Sequence, residues 1–261
     1  MNTDPQITAV IVCVDYSDLL AVTLPWNSRF FSRVIVVTTP SDLNTIAAVE
    51  LARIHGSNID IYDTNVFYAN GASFNKGAAL SRALESIANP GWLAVMDADI
   101  LLPPDFAGFG CVDFQPGTLY VPHRRMLADA AAWHPKLDWS TLPLRNEEPG
   151  GWLQIFHASD PVLAERPWYP DTWKHAGGCD SAFWLKWGRG RIKRITEFEV
   201  LHLGRDGENW HGRVTPFIDG TTHPKAAEHA AAMQSMLENR KSTRGGDRFA
   251  AERLDGKGGL R

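Results

Sequence analysis

The sequence predicts an α/β fold: a single Rossmann-like domain with a mostly parallel central sheet flanked by helices, and a small further sheet beyond it. Three observations predict this. Short apolar runs without polar alternation, the pattern of strands buried on both faces, recur at 7–14, 34–37 and 93–96. Stretches with helical spacing of small and apolar residues separate them. Polar residues gather directly after the runs, at the strand carboxyl ends where doubly wound sheets present their ligands.

Taken in order, Ile7 to Val14 is β-branched and nearly all apolar, a buried first strand followed at once by Asp15 and Tyr16. Residues 19–31 read as a helix broken near Pro25. Val34 to Val37 is a second buried strand, and Asp42, just beyond it, either touches a ligand beside the first strand tip or caps the helix through Leu51. Ile59 to Tyr62 is a third, shorter strand. Asn75, Lys76 and Gly77 open a helix to about Ala88. Its amino-terminal dipole, free amides and the Lys76 ammonium suit a diphosphate or nucleoside oxygen. The alternation of strand and helix is what a right-handed crossover sheet requires.

After Asp105 periodicity fades. Thr118 to Val121 is a convincing strand, and His123, Arg124 and Arg125 after it read as a solvated basic turn. Gly150 to His157 combines a glycine hinge with an aromatic strand. Residues 168–178 form a loop rich in aromatics and glycine, Cys179 and Asp180 begin a helix ending at Gly188, and Val200 to Leu203 forms a late strand carrying His202. Gly188 to Arg194 is the most basic short run, read as a solvated face. Ala226 to Leu237 is an alanine-rich helix, and the polar, glycine-rich end is expected to be disordered.

With 261 residues, 44% of them hydrophobic, the chain suits one sizeable core. Its net charge of -4 argues against a surface that is wholly a polyanion clamp. Cys13, Cys111 and Cys179 are scattered, with spacing that matches neither a disulfide framework nor a zinc knuckle, and they fit a reducing, cytoplasmic setting. No apolar run reaches the roughly 18 residues a membrane span needs, so no membrane span is expected.

The richest stretch is 92–104, where Trp-Leu-Ala-Val-Met ends in Asp97-Ala98-Asp99 and resumes as Ile-Leu-Leu-Pro-Pro. Two carboxylates one residue apart at a buried strand tip repel unless a hard divalent cation bridges them. The pattern asks for Mg²⁺ or Mn²⁺ carrying a phosphate.

Phe74-Asn75-Lys76-Gly77-Ala78-Ala79-Leu80, then 92–106, then 151–157, then Gly177-Gly178-Cys179-Asp180 with Trp187-Gly188, and finally Leu201-His202-Leu203-Gly204, together resemble family 2 glycosyltransferases with the GT-A fold. The resemblance spans most of residues 7 to 210 and implies a catalytic domain over 1–235. Its nucleotide half is about 7–105, its acceptor half about 106–212, and 236–261 is the disordered tail. The implied activity moves a sugar from a nucleotide-diphosphate donor, a UDP-hexose, to an acceptor hydroxyl. Asp15, Tyr16, Asp42, Asn75, Lys76, Asp97, Ala98 and Asp99 are then the donor-binding set. Asp97 and Asp99 hold the metal with His202, Trp152, Gln154 and Gly178 border donor sugar and acceptor, and Asp180 takes the position of the catalytic base, which predicts inversion. The loop 168–178 is expected to fold over bound donor as a lid. Families of this kind often have two acidic residues where this chain has Cys179-Asp180. The acceptor stays open: a saccharide, a protein, a small molecule or a modified DNA base.

Two rival readings stand beside it. A sugar-nucleotide nucleotidyltransferase would share the metal aspartate but should carry a glycine-rich, basic loop after its first strand, where this chain has Asp15-Tyr16-Ser17-Asp18. A non-catalytic carbohydrate- or nucleotide-binding protein would explain the aromatics, but gives no reason for Asp97, Asp99, Asp180 and His202 to occur together.

Overall fold

A computed structural model describes residues 5–244 except 55, 57, 89, 146–148 and 206. The elements are β1 (Ile7–Val12), α1 (Ser17–Asn27), β2 (Arg33–Thr38), α2 (Leu43–Arg53), β3 (Ile59–Asp63), α3 (Lys76–Glu85), β4 (Trp92–Asp97), β5 (Ile100–Leu101), β6 (Leu119–Leu127), β7 (Leu144–Arg145), β8 (Leu153–His157), α4 (Cys179–Trp184), β9 (Ile192–Leu203) and α5 (Ala226–Arg244). Among the described residues the strands form one sheet in the order β3-β2-β1-β4-β8-β6-β9-β5, with β7 on β6. The run β3-β2-β1-β4 is parallel; β8 then pairs antiparallel with both β4 and β6. The later strands, β5 to β9, are therefore continuous with the central sheet.

The parallel half follows from composition. Ile, Val, Leu and Ala fill β1, β2 and β4, and almost every one is buried, because helices cover both faces. The register pairs Val12 with Asp97, so the tips of β1 and β4 end side by side. That alignment brings residues 15–16 and 97–99 to one crevice.

Four sequence expectations are corrected. The helix expected to break near Pro25 runs through it to Asn27. Its end is held from outside: Thr23 Oγ1 donates to the Ala98 carbonyl (2.7 Å), Trp26 Nε1 to that of Leu102 (2.9 Å), and Asn27 Nδ2 to that of Ile100 (2.7 Å). These bonds anchor the last turn of the helix beyond Pro25 and pin the backbone around Asp99. The strand expected to stop at Val121 continues to Leu127 as β6, paired in parallel with β9 across a register shift between Pro122 and His123. His123, Arg124 and Arg125 are thus strand residues, and Arg124 is buried rather than solvated. The late strand begins at Ile192, eight residues earlier than Val200, because β6 offers it a long partner. The last helix extends past residue 235 to Arg244; the expected disorder over 245–261 lies outside the described residues. Asp206 also lies outside them.

Candidate active site

A cavity of about 420 Å³ opens at the carboxyl ends of β1 and β4. Tyr16, Lys76, Asp97, Ala98, Asp99, Trp152, Gly178, Asp180 and His202, all expected at the site, line it. Asp15, Asp42, Asn75 and Gln154 do not, and each has another position.

The center of the cavity is Lys76. It occupies the first turn of α3, its side chain only 9% exposed, and its ammonium lies 2.7 Å from Asp97 Oδ1 and 3.0 Å from Asp180 Oδ2. Burial alone lowers a lysine pKa, but the Asp180 and Asp97 carboxylates overcome it and hold this ammonium charged well above its ordinary range. Asp97, expected to bind metal, therefore already has a cation. Asp180 sits in the first turn of α4 behind Gly178, whose left-handed φ of 99° suits glycine. Burial raises its pKa, Lys76 pulls it back, and Asp97 raises it further. Its Oδ1 is buried with no hydrogen-bond partner. Gly151 makes the approach possible: a Cβ there would stand 2.2 Å from the Asp180 carboxylate.

Asp99 and His202 form the second pair. β5 and β9 pair antiparallel with Ile100 opposite His202, which sets Asp99 Oδ2 3.4 Å from His202 Nε2. Burial raises the Asp99 pKa, partly offset by His202 and reinforced by Asp97. Asp99 Oδ1 and His202 Nδ1 are both buried without hydrogen-bond partners. A carboxylate and an imidazole are donors of the kind a divalent cation takes, and both side chains line the cavity. Among the described residues no group of three or more His, Cys, Asp or Glu side chains stands ready to hold a metal.

The residues outside the cavity shape it. Asp42 caps α2: Oδ1 accepts from Thr45 N (3.0 Å), and Oδ2 accepts from Thr45 Oγ1 (2.6 Å) and from the backbone N–H of Asp15 (2.8 Å). Asp15 is thereby fixed at φ 65°, a conformation uncommon without glycine. Its carboxylate lies 3.5 Å from His223 Nε2. Asn75 caps α3 through Ala78 N (2.9 Å) and donates to the Asp171 carbonyl (2.6 Å). Gln154 is fully buried; it accepts from Tyr169 Oη (2.5 Å) and donates to the Asp180 carbonyl (3.4 Å), so it steadies α4. Trp152, expected to stack on a sugar, is 3% exposed, with the Arg124 guanidinium 4.3 Å from its ring center and its Nε1 bonded to the Pro122 carbonyl (3.0 Å).

Sequence reasoning missed Arg213. Only 1% exposed, it donates to both oxygens of Asp18 (2.5 and 2.8 Å) and to the Asp15 carbonyl (2.9 Å), and its guanidinium lies 4.7 Å from the center of the Tyr16 ring. The C-terminal segment that carries it therefore backs the β1 tip. No local signal marks a pair 195 positions apart. Arg124 was found but misread, and Asn209 and Trp210 were found only as loop residues; all three line the cavity.

No protein-family model matches the chain, and no curated protein matches its sequence. Solved structures do. A mannosyltransferase from Pyrobaculum calidifontis, solved with GDP-mannose and Mn²⁺, superposes with a TM-score of 0.51 over 78% of this chain at 15% identity. HddC from Yersinia pseudotuberculosis superposes with a TM-score of 0.50 over 77% at 12% identity, with 95% of its own length covered. The chain spans 58% of the mannosyltransferase's length. The fold is that of GT-A glycosyltransferases, as the sequence predicts.

Proposed function

We propose that the chain is a divalent-metal-dependent glycosyltransferase that moves a hexose from a UDP-sugar to an acceptor hydroxyl with inversion. One observation carries this reading: Asp97, Asp99, Lys76, Asp180 and His202 converge on a single cavity at the strand carboxyl ends. Asp99 and His202 hold Mn²⁺ or Mg²⁺, which when bound neutralises charge on the leaving diphosphate. Lys76, at the start of α3, adds a positive charge on the same side. Asp180 is the general base. Its unpartnered Oδ1 takes the acceptor's proton while the acceptor oxygen bonds to the anomeric carbon. The bond from that carbon to the diphosphate oxygen breaks, its electron pair leaving with the nucleotide. Tyr16 and Phe74, which line the cavity, bound the nucleoside end with Asp15 behind Tyr16, and Gly178 lets loop 168–178 close over the sugar. Cys13 and Cys179 are buried thiols, the first pushed up to about 12 chiefly by burial.

The test is nucleotide release from a panel of UDP-sugars, with GDP-mannose included because the Pyrobaculum enzyme was solved with it. Release from one donor with Mn²⁺, lost with EDTA and lost in Asp99→Ala, is the expected result. Release that survives both treatments rejects the metal site; no release from any donor, together with no nucleotide binding by calorimetry, rejects the transferase reading.

A further inference from the structure

The placement of Lys76 conflicts with the chemistry expected of Asp180. A general base works best when its proton affinity is not suppressed; burial raises that of Asp180, and the buried ammonium 3.0 Å from its Oδ2 pulls it part of the way back. The same ammonium also holds Asp97 at 2.7 Å, so one cation faces two carboxylates in the cavity that is to receive a diphosphate. Asp97 ends a strand clamped between β1 and β8, and its backbone N–H donates to the Trp152 carbonyl (3.1 Å). Asp180 begins a short helix that follows two glycines. Of the two contacts, the one to Asp180 is the easier to give up. A lysine ammonium is a compact charge on a flexible four-carbon stem, and a diphosphate offers it more negative charge than a carboxylate does.

We propose that Lys76 alternates between partners: it holds Asp180 while the cavity is empty and passes to the donor's diphosphate on binding, freeing Asp180 only when donor is in place. The inference rests on the transferase reading above. It makes Lys76 the positioning residue that couples donor loading to the base, so acceptor deprotonation waits for the donor.

Alternation means that Asp180 and the diphosphate compete for one cation, and a double-mutant cycle on nucleotide affinity measures that competition. UDP and GDP are titrated by calorimetry with Mg²⁺ into wild type, Asp180→Asn, Lys76→Met and the double variant, and the tighter nucleotide is followed. Asp180→Asn is expected to bind it about tenfold tighter than wild type, a coupling of the usual size between sites. Lys76→Met is expected to bind it more weakly, and there the added Asp180→Asn change should move the Kd less than about twofold, the mark of a shared partner. Equal tightening in both backgrounds would reveal only the general field of a carboxylate and overturn the proposal. So would an unchanged Kd in Asp180→Asn, which would mean that the third ammonium N–H serves the phosphate alone. If Lys76→Met fails to melt cooperatively, Lys76→Gln replaces it. Absence of binding of either nucleotide to wild type removes the transferase reading along with this one; binding without coupling removes this one alone.

Discussion

In residues 7–97 each strand pairs in parallel with its neighbour at constant register, and the side chains of β1, β2 and β4 are mostly apolar and buried. Residues 100–203 do the opposite. There β6 pairs with three different strands, its register with β9 shifts at Pro122, and charged residues sit within the strands. Arg125 is satisfied by Glu199, 74 positions away, at 2.5 Å. The first half holds together through apolar area that any strand of the right composition supplies. The second depends on individual polar pairings, and removing one partner of a buried polar pair costs more than the pair gains. The contrast predicts that single substitutions hurt most in the second half and least on the surface of the first.

The sharpest break should come at Asp180. Asp180→Asn is expected to lower transfer about 10³-fold, within the usual span for a general base, with the thermal midpoint little changed. Because its pKa is raised, chiefly by burial, the carboxylate protonates at higher pH than an ordinary aspartate. The acid limb of the wild-type rate profile should therefore lie above that of an ordinary aspartate, with activity falling as pH drops through it. Next, Arg213→Met leaves Asp18 without its bidentate partner and should cost about 3 kcal/mol in denaturant unfolding, as breaking a buried ion pair does. Gly151→Ala drives a methyl toward the Asp180 carboxylate and should lower kcat about 10²-fold through misplacement of the base. The smallest effect belongs to the first half: Arg33 and Asp60 form an ion pair with side chains 47% and 48% exposed. Arg33→Ala should cost under about 1 kcal/mol by the same unfolding assay. A loss at Arg33 as large as that at Arg213 would erase the difference between exposed and buried polar pairs on which the contrast rests.

The legibility of the sequence divides along the same line. β1, β2, β3 and β4 are found within two residues of where the apolar runs place them, because a strand covered on both faces writes its burial into its composition. β6 and β9 are found only in part, since their charged halves look like solvated turns until the partner strand is beside them. Of the expected site residues, Tyr16, Lys76, Asp97, Asp99, Asp180 and His202 are among those that meet in the cavity. Asp42, Asn75 and Gln154 prove to be caps and braces, roles whose residue types are the same as those of ligands.

The sequence alone determined the fold class, the position of the crevice and the presence there of two aspartates, a helix-start lysine, a later aspartate and a late histidine. The fold class, the crevice, the two aspartates and the lysine follow from periodicity and from where each polar residue falls relative to an apolar run; the later aspartate and the histidine are placed there by the resemblance to family 2 glycosyltransferases. The tertiary structure decided which charge meets which. Asp97 faces Lys76, Asp99 faces His202, and Lys76 also reaches Asp180, 104 positions away. Such pairings turn on differences of an ångström between elements brought together only by the sheet, and Coulomb energies at those separations change too steeply for sequence order to fix them.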